Sequence, residues 1–289
     1  GYDEVASTAA LRGITKQYKD FTLGPVDMTV PAGSIVGLIG ENGAGKTTLL
    51  KILCGVNRAD DGTVDLLGGS PADAATRAKI GVVFEDAFFY GSFTAAQVAR
   101  SLAGMYGARW NADSFSAYLR RFGLDAGKKL KEYSRGMRLK LSLAAALAHD
   151  PELLVLDEAT AGLDPVVRGE LLDLFLEFIQ DERHSIVMSS HITADLEQIA
   201  DSIAYLHNGQ LLFQENKDDL LQEYGVLHCG EDVLPSLPAG LVVFTRRGAY
   251  GCESLVRERR TVQELLPEAV CDAARLDDIM RFYSGRDAQ

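Results

Sequence analysis

Nine residues constrain this chain more than any others: Gly40-Glu41-Asn42-Gly43-Ala44-Gly45-Lys46-Thr47-Thr48. They fit the pattern G-x-x-x-x-G-K-[ST] and lie between the apolar run Ile35 to Ile39 and the periodic residues Leu49, Leu50, Ile52 and Leu53. A strand, a glycine-rich loop and a helix in that order let backbone N–H groups close around phosphates at the positive end of the helix. A nucleoside triphosphate with Mg²⁺ is therefore the ligand to look for. Gly40, Gly43 and Gly45 permit the tight wrap, with Asn42 and Ala44 between them. Lys46 can place a cation between the β- and γ-phosphates. Thr47 can offer a hydroxyl to Mg²⁺, and Thr48 continues the first helical turn. An ordinary glycine turn between strand and helix would not need the lysine and threonine at these positions.

A second constellation distinguishes binding from hydrolysis. At Leu153-Leu154-Val155-Leu156-Asp157-Glu158 an apolar strand ends in two adjacent carboxylates, and parallel sheets present their ligand-binding groups at the carboxyl ends of strands. Asp157 is expected to hold Mg²⁺ through its water shell, and Glu158 to orient and polarise an attacking water. Taken alone, such a pair is as well explained by strand-end capping. The phosphate loop upstream is what favours chemistry.

Between these motifs stands Tyr133-Ser134-Arg135-Gly136-Met137, followed by the helix-forming run Arg138 to Leu147. Read by itself, Ser134 is a helix cap. Read in sequence with its neighbours, the stretch resembles the signature motif of the ATP-binding cassette (ABC) ATPases. Further motifs follow in that family's order: Ala161-Gly162-Leu163-Asp164-Pro165 is similar to the loop that crosses its dimer interface, and Ser189-Ser190-His191 to its switch histidine. The resemblance covers about the first 220 residues. It implies that Ser134 and the Gly136 N–H bind the γ-phosphate of a nucleotide held by a second subunit, that Asp164 faces that subunit, and that His191 contacts the γ-phosphate and the attacking water. It also implies an aromatic residue stacked on adenine: Tyr18 occupies the matching place, with Phe21 the other candidate.

Three positions, in two places, depart from the family's common pattern. Glu85 stands where most cassettes have a glutamine after the strand Ile80 to Phe84, so an amide that donates and accepts becomes an acceptor-only carboxylate. Glu85 is expected to contribute to catalysis or to bind Mg²⁺ directly, with slower or more metal-dependent turnover. Arg135 and Met137 replace a glycine and a glutamine, a form similar to cassettes that serve export-type permeases encoded as separate chains.

The expected fold is α/β, a P-loop nucleotide-binding domain. Ile35 to Ile39, Ile80 to Phe84, Leu153 to Asp157, Ile186 to Ser190 and Ile203 to Leu206 are near-continuous apolar runs, as a parallel core sheet covered on both faces requires. Short alternating strands over residues 9–35, with a return near Gly62 to Leu67, predict an N-terminal antiparallel β-subdomain. Residues 87–148 carry helical periodicity in Ala95 to Tyr106 and Ser114 to Phe122; the resemblance implies that such an insert is a helical subdomain whose groove would meet a permease. The aromatic run Phe88-Phe89-Tyr90-Gly91-Ser92-Phe93 is a further candidate contact. Residues 1–222 are thus assigned to the cassette. Residues 223–289 form a small α+β C-terminal module, with strands at Val226 to Cys229, Leu241 to Thr245 and Ser254 to Arg257 and helices at 261–266 and 275–283.

Composition narrows the setting. Across 289 residues the formal net charge is −12, which argues against a nucleic-acid partner. No apolar run approaches the roughly 18 residues that span a bilayer, so any membrane part is expected to come from a separate transmembrane permease. The four cysteines show no metal or disulfide-scaffold spacing, consistent with a reducing compartment. The expected function is that of an ATP-hydrolysing subunit, cytoplasmic and peripheral on the inner face of the cell membrane. It pairs with a second cassette, as a homodimer, and powers an exporter. An importer motor and a non-transport ATP-dependent switch are the alternatives.

Overall fold

The computed structural model describes residues 7–84, 91–249 and 251–286. Its contacts divide the chain into two compact units: Gly1–Ile192 with Ala204–Gln214, and Thr193–Ile203 with Glu215–Gln289.

The first unit is built on two sheets. β1 (Ser7–Gln17), β2 (Thr22–Pro31) and β4 (Asp61–Leu66) form an antiparallel sheet in the order β2-β1-β4. Along β2, Leu23, Val26, Met28 and Val30 are buried while Thr22, Pro25, Asp27 and Thr29 are exposed, the alternation of a strand with one face on the core. The larger sheet has six strands in the order β5-β6-β7-β3-β8-β9: β5 (Ile80–Val83), β6 (Leu153–Asp157), β7 (Ser185–Ser189), β3 (Ile35–Ile39), β8 (Ser202–His207) and β9 (Gln210–Asn216). The pairs β5–β6, β6–β7 and β7–β3 are parallel. Every residue of β3, β6 and β7 is buried, so these strands carry no alternation. Each core run read from the sequence falls on its strand to within a residue.

Helices cover this sheet and supply the insert. α1 (Lys46–Leu53) buries Leu49, Leu50, Ile52 and Leu53 and leads out of the phosphate loop, and the short α2 (Ala74–Arg77) precedes β5. α3 (Ala95–Tyr106) starts at a reciprocal cap, in which Gln97 N donates to Thr94 Oγ1 and Thr94 N to Gln97 Oε1. α4 (Ala112–Phe122) is capped by Asn111 and ends at Gly123 with φ 69°, and α5 (Arg135–Leu147) is capped by Ser134. These three helices enclose their own core of Val98, Phe115, Leu119, Leu130 and Leu141. Among the described residues of the insert there is no strand, only an isolated bridge between Thr94 and Lys129. α6 (Pro165–Phe178) starts at Asp164, whose Oδ1 accepts from Val167 N, with proline at the first helical position.

His149 joins insert to sheet. Only 1% exposed, it donates from Nε2 to Ile80 O at 2.8 Å, lies 3.2 Å through Nδ1 from Ala145 O, and stacks on Tyr106 at 4.0 Å. Burial pushes its pKa below the ordinary value, and the neighbouring carbonyls only partly oppose this. A base depressed in the folded state binds fewer protons there than in the unfolded chain. Its stabilisation is therefore complete above the unfolded pKa, about 6.5, and is lost as pH falls below it. Urea melts at pH 7.5 and 5.5 are expected to show a smaller pH penalty in His149→Phe than in the parent; equal penalties would count against this account.

The second unit contains α7 (Thr193–Ile199), α8 (Lys217–Glu223) and an antiparallel sheet ordered β11-β12-β10-β13, from β10 (Gly225–Cys229), β11 (Val242–Gly248), β12 (Gly251–Val256) and β13 (Val270–Ala273). α9 (Arg259–Leu265) and α10 (Leu276–Arg286) complete it around Leu227, Leu237, Leu241, Val256 and Val262. Glu197 on α7 accepts from Leu276 N at 2.8 Å, tying α7 to the start of α10. The sequence gives no cue for this grouping, because nothing in composition changes between His191 and α7. All four cysteines are free thiols, and burial raises that of Cys54 to about 12, the behaviour of a core residue.

Candidate functional site

The site collects at the carboxyl ends of β3, β6 and β7. Gly40, directly after β3, has no room for a side chain: a Cβ would lie 2.4 Å from Leu206 O. Gly45 adopts φ 103°, which swings the chain from the loop into α1, and Ala44 N donates to Glu41 O at 3.1 Å inside the turn. Asn42 and Gly43 form the exposed crest, Ala44 is buried, and Lys46, Thr47 and Thr48 begin the helix.

Lys46 is 6% exposed and folds back over the loop. Its Nζ donates to Gly40 O at 2.7 Å and to Glu158 Oε1 at 3.0 Å. Thr47 Oγ1 donates to Asp157 Oδ2 at 2.8 Å, and Ser189 Oγ donates to Asp157 Oδ1 at 2.6 Å. Both oxygens of Asp157, 3% exposed, are thereby fixed from two other elements. Glu158 takes a left-handed φ of 52°, uncommon for a residue with a side chain. That turn aims its carboxylate across the strand ends: Oε2 lies 2.8 Å from His191 Nδ1 and accepts from His191 N at 3.3 Å. Its own N–H is shared between Ser189 O and Ser189 Oγ, at 3.2 and 3.1 Å.

These contacts set the charge of Glu158. Burial acts to raise its pKa, but the Lys46 ammonium, the hydrogen bond from Lys46 and the contact with His191 together outweigh it and hold the carboxyl below its ordinary value. Glu158 is a carboxylate at neutral pH, with one oxygen toward a cation and the other toward a half-exposed histidine.

The donor set also fits magnesium. Thr47 and Asp157 offer only oxygen, and among the described residues no group of three or more His, Cys, Asp or Glu could hold a metal unaided. That is the expected pattern for an ion bound through one or two protein oxygens together with phosphates and water.

The structure therefore brings Gly40, Gly45, Lys46, Thr47, Asp157, Glu158 and His191 together. Ser134 and Gly136 lie at the start of α5, whose Arg135 and Arg138 line one cavity with Asp157 and Glu158. Ser134 Oγ accepts from Met137 N at 3.2 Å, and a Cβ at Gly136 would meet Leu163 only at 3.5 Å. Arg135 reaches over Gly162, where a Cβ would lie 2.7 Å from its guanidinium, so the signature and the Ala161–Pro165 loop are neighbours. Asp164 is exposed beside them. Glu85, Phe88, Phe89 and Tyr90 lie outside the described residues.

For the adenine partner, Tyr18 is 42% exposed, with Lys16 Nζ 5.9 Å from the ring centroid. Phe21 turns inward, and its ring occupies the space beside Gly45 and Gly209. Sequence reasoning passed over Ser189, Glu41, Tyr205 and His207. A serine closing an otherwise apolar strand was the available signal for Ser189. Glu41 Oε1 accepts from Tyr205 OH at 2.8 Å and its carboxylate lies 3.1 Å from His207 Nδ1, a connection across more than 160 residues that no local pattern carries.

A parallel α/β sheet with a glycine loop feeding a helix, and a lysine, a threonine and two strand-end carboxylates closing on that loop, defines a P-loop nucleotide-binding protein. A family model described as "ABC transporter" matches residues 23–161. The bacitracin transport ATP-binding protein BcrA of Enterococcus faecalis is 36% identical over 212 residues, 72% of this chain and 68% of that protein. An uncharacterized ABC transporter ATP-binding protein of Synechocystis sp. is 38% identical over 206 residues, 69% of this chain. The chain covers 58% of that longer relative. Among solved structures, an ATP-binding subunit of an ABC transporter aligns with TM-score 0.66 and 28% identity, covering 74% of this chain and 92% of that one. This chain belongs to the ABC transporter ATP-binding family.

Proposed function

We propose that the chain is the ATP-hydrolysing motor of an exporter, working as a pair of cassettes beneath a separate transmembrane permease. The observation that carries this reading is the convergence on Glu158: Lys46 Nζ at 3.0 Å from one oxygen and His191 Nδ1 at 2.8 Å from the other. A carboxylate so held is an ionised acceptor that can orient a water and take its proton in the transition state. Lys46 is placed to exchange its contacts with Gly40 O and Glu158 for the β- and γ-phosphates, freeing Glu158 for the water, with His191 at the far side. Mg²⁺, when held by Thr47 and Asp157, would neutralise phosphate charge. Glu85 adds a carboxylate to this reading, as a catalytic or metal-binding group.

The second half of each site comes from a partner cassette, taken to be another copy of this chain. We assign Ser134 and Gly136, with Asp164 beside them, to the nucleotide of the partner cassette; the amino end of α5 favours anions. Two chains paired head to tail would sandwich two nucleotides, with Asn42, Gly43, Ala44, Thr48 and the glycines wrapping the phosphates and Tyr18 stacked on adenine. The inward packing of Phe21 supports Tyr18 in that role. Residues 1–222 act as the cassette and 223–289 as an accessory module.

Export is favoured by the similarity to a bacitracin transport protein and by the Ser-Arg-Gly-Met signature. Among the described residues no helix is long and apolar enough to cross a membrane, in keeping with a permease on a separate chain and a place at the cytoplasmic face. A groove of about 710 Å³, lined by Lys51, Val56, Arg77, Leu102, Met105 and Tyr106, is the surface assigned to that permease; Met105 is 74% exposed there. The test is steady-state hydrolysis of MgATP by the purified chain over a range of concentrations. Rate per chain is expected to rise with concentration to a plateau, because a single cassette holds half of each site. A rate per chain independent of concentration would overturn the paired mechanism.

A further inference from the structure

The phosphate loop of this chain carries an acid of its own. Glu41 directly follows Gly40, and a carboxylate there would repel a triphosphate if it turned toward the loop's concave side. Instead it is held from behind by β8. The hydroxyl of Tyr205, a fully buried residue, donates to Glu41 Oε1 at 2.8 Å, and His207 Nδ1 lies 3.1 Å from Oε2 and 3.2 Å from Oε1. Asn208 Nδ2 lies 3.4 Å from His207 Nε2; donation there puts the histidine's proton on Nδ1 and makes Nδ1–H a donor to the carboxylate.

The same segment buttresses the loop at two more points. Leu206 O lies where a side chain on Gly40 would be, and Gly209 N donates to Ala44 O at 3.0 Å. Gly209 O in turn accepts from Gly24 N at 2.7 Å, fastening the turn after β8 to β2. The loop thus rests on β8 and its turn, and β8 holds the Glu41 carboxylate through Tyr205 and His207.

We infer that Tyr205 and His207 are positioning residues for nucleotide binding: by holding the Glu41 carboxylate against β8 they keep its charge away from the phosphates. Neither touches nucleotide in this scheme; both act through Glu41. The inference rests on nucleotide binding at the phosphate loop, as proposed above. It predicts an affinity effect with little effect on chemistry, because Lys46, Asp157, Glu158 and His191 have no part in the Glu41 contact.

The experiment measures the dissociation constant of MgATP by calorimetry on the full chain, together with kcat at saturating ATP. Tyr205→Phe, which keeps the buried ring and removes only the hydroxyl, is expected to weaken binding about threefold, and Tyr205→Phe with His207→Gln about tenfold. In both, kcat is expected to stay within about twofold of the parent. Adding Glu41→Gln to the double variant removes the charge that needs holding, and most of the lost affinity is expected to return. Unchanged affinity in the double variant would overturn the inference while leaving the ATPase reading intact. So would a loss that Glu41→Gln fails to restore, since that would mark a purely structural role. A parent chain that does not bind MgATP would overturn both.

Discussion

Glu158→Gln is expected to reduce ATP hydrolysis by about 10²–10³-fold while leaving ATP binding in place. The substitution keeps the size and the left-handed backbone of Glu158 but removes the charge that Lys46 and His191 hold ionised. An amide accepts no proton from water, so the step that needs a base is the one lost. Binding persists because the contacts assigned to phosphate come from the loop, from Lys46 and from the start of α1. Lys46 exchanges an ion pair for a neutral hydrogen bond to the amide oxygen, which holds the ammonium less tightly against nucleotide. Measured by phosphate release in parallel with ATP titration, a variant that retained more than a tenth of the parent rate would show that another group activates the water.

Lys46→Ala is expected to act on binding. Lys46 is 6% exposed, and its ammonium bridges the start of the loop, at Gly40 O, to the acid at the end of β6. Truncating one partner of a buried charge pair costs about 2–5 kcal/mol, much of it from stranding the other. The stranded group here is Glu158. Without the ammonium, burial is opposed only by His191, so the carboxyl's pKa rises. Loss of a cation between phosphates adds to this, and ATP affinity is expected to fall by about 10²-fold or more, with hydrolysis below detection. Calorimetry with MgATP reads the effect directly. Affinity within about threefold of the parent would show that the phosphates are held elsewhere.

Much of this site could be read from the chain before any coordinates, for a physical reason. A loop that must wrap phosphates needs glycines at fixed spacing, and strands buried on both faces must be apolar throughout, so Gly40 to Thr48 and the five core runs announce themselves locally. One helix start was equally readable, at Ser134, whose side chain caps α5. What stayed hidden depends on contacts between distant residues. Nothing near Glu158 says that Lys46, 112 positions earlier, shares its oxygen, and nothing near Glu41 names Tyr205. β13 was missed because its four residues, Val270 to Ala273, are mostly exposed and lack the alternation of a strand with one buried face. The packing of Phe21 was likewise hidden: Tyr18 and Phe21 are both aromatic and three residues apart, and only the structure places the Phe21 ring beside Gly45.

The claim on which the rest depends is that nucleotide joins two chains through surfaces of which each chain carries half. Sizing by sedimentation of Glu158→Gln, with and without MgATP, tests it most directly, since binding without turnover holds the joined state. The account predicts monomers without nucleotide and a dimer with MgATP that separates when ATP is removed; a chain that binds MgATP yet remains monomeric at every concentration tested would contradict it.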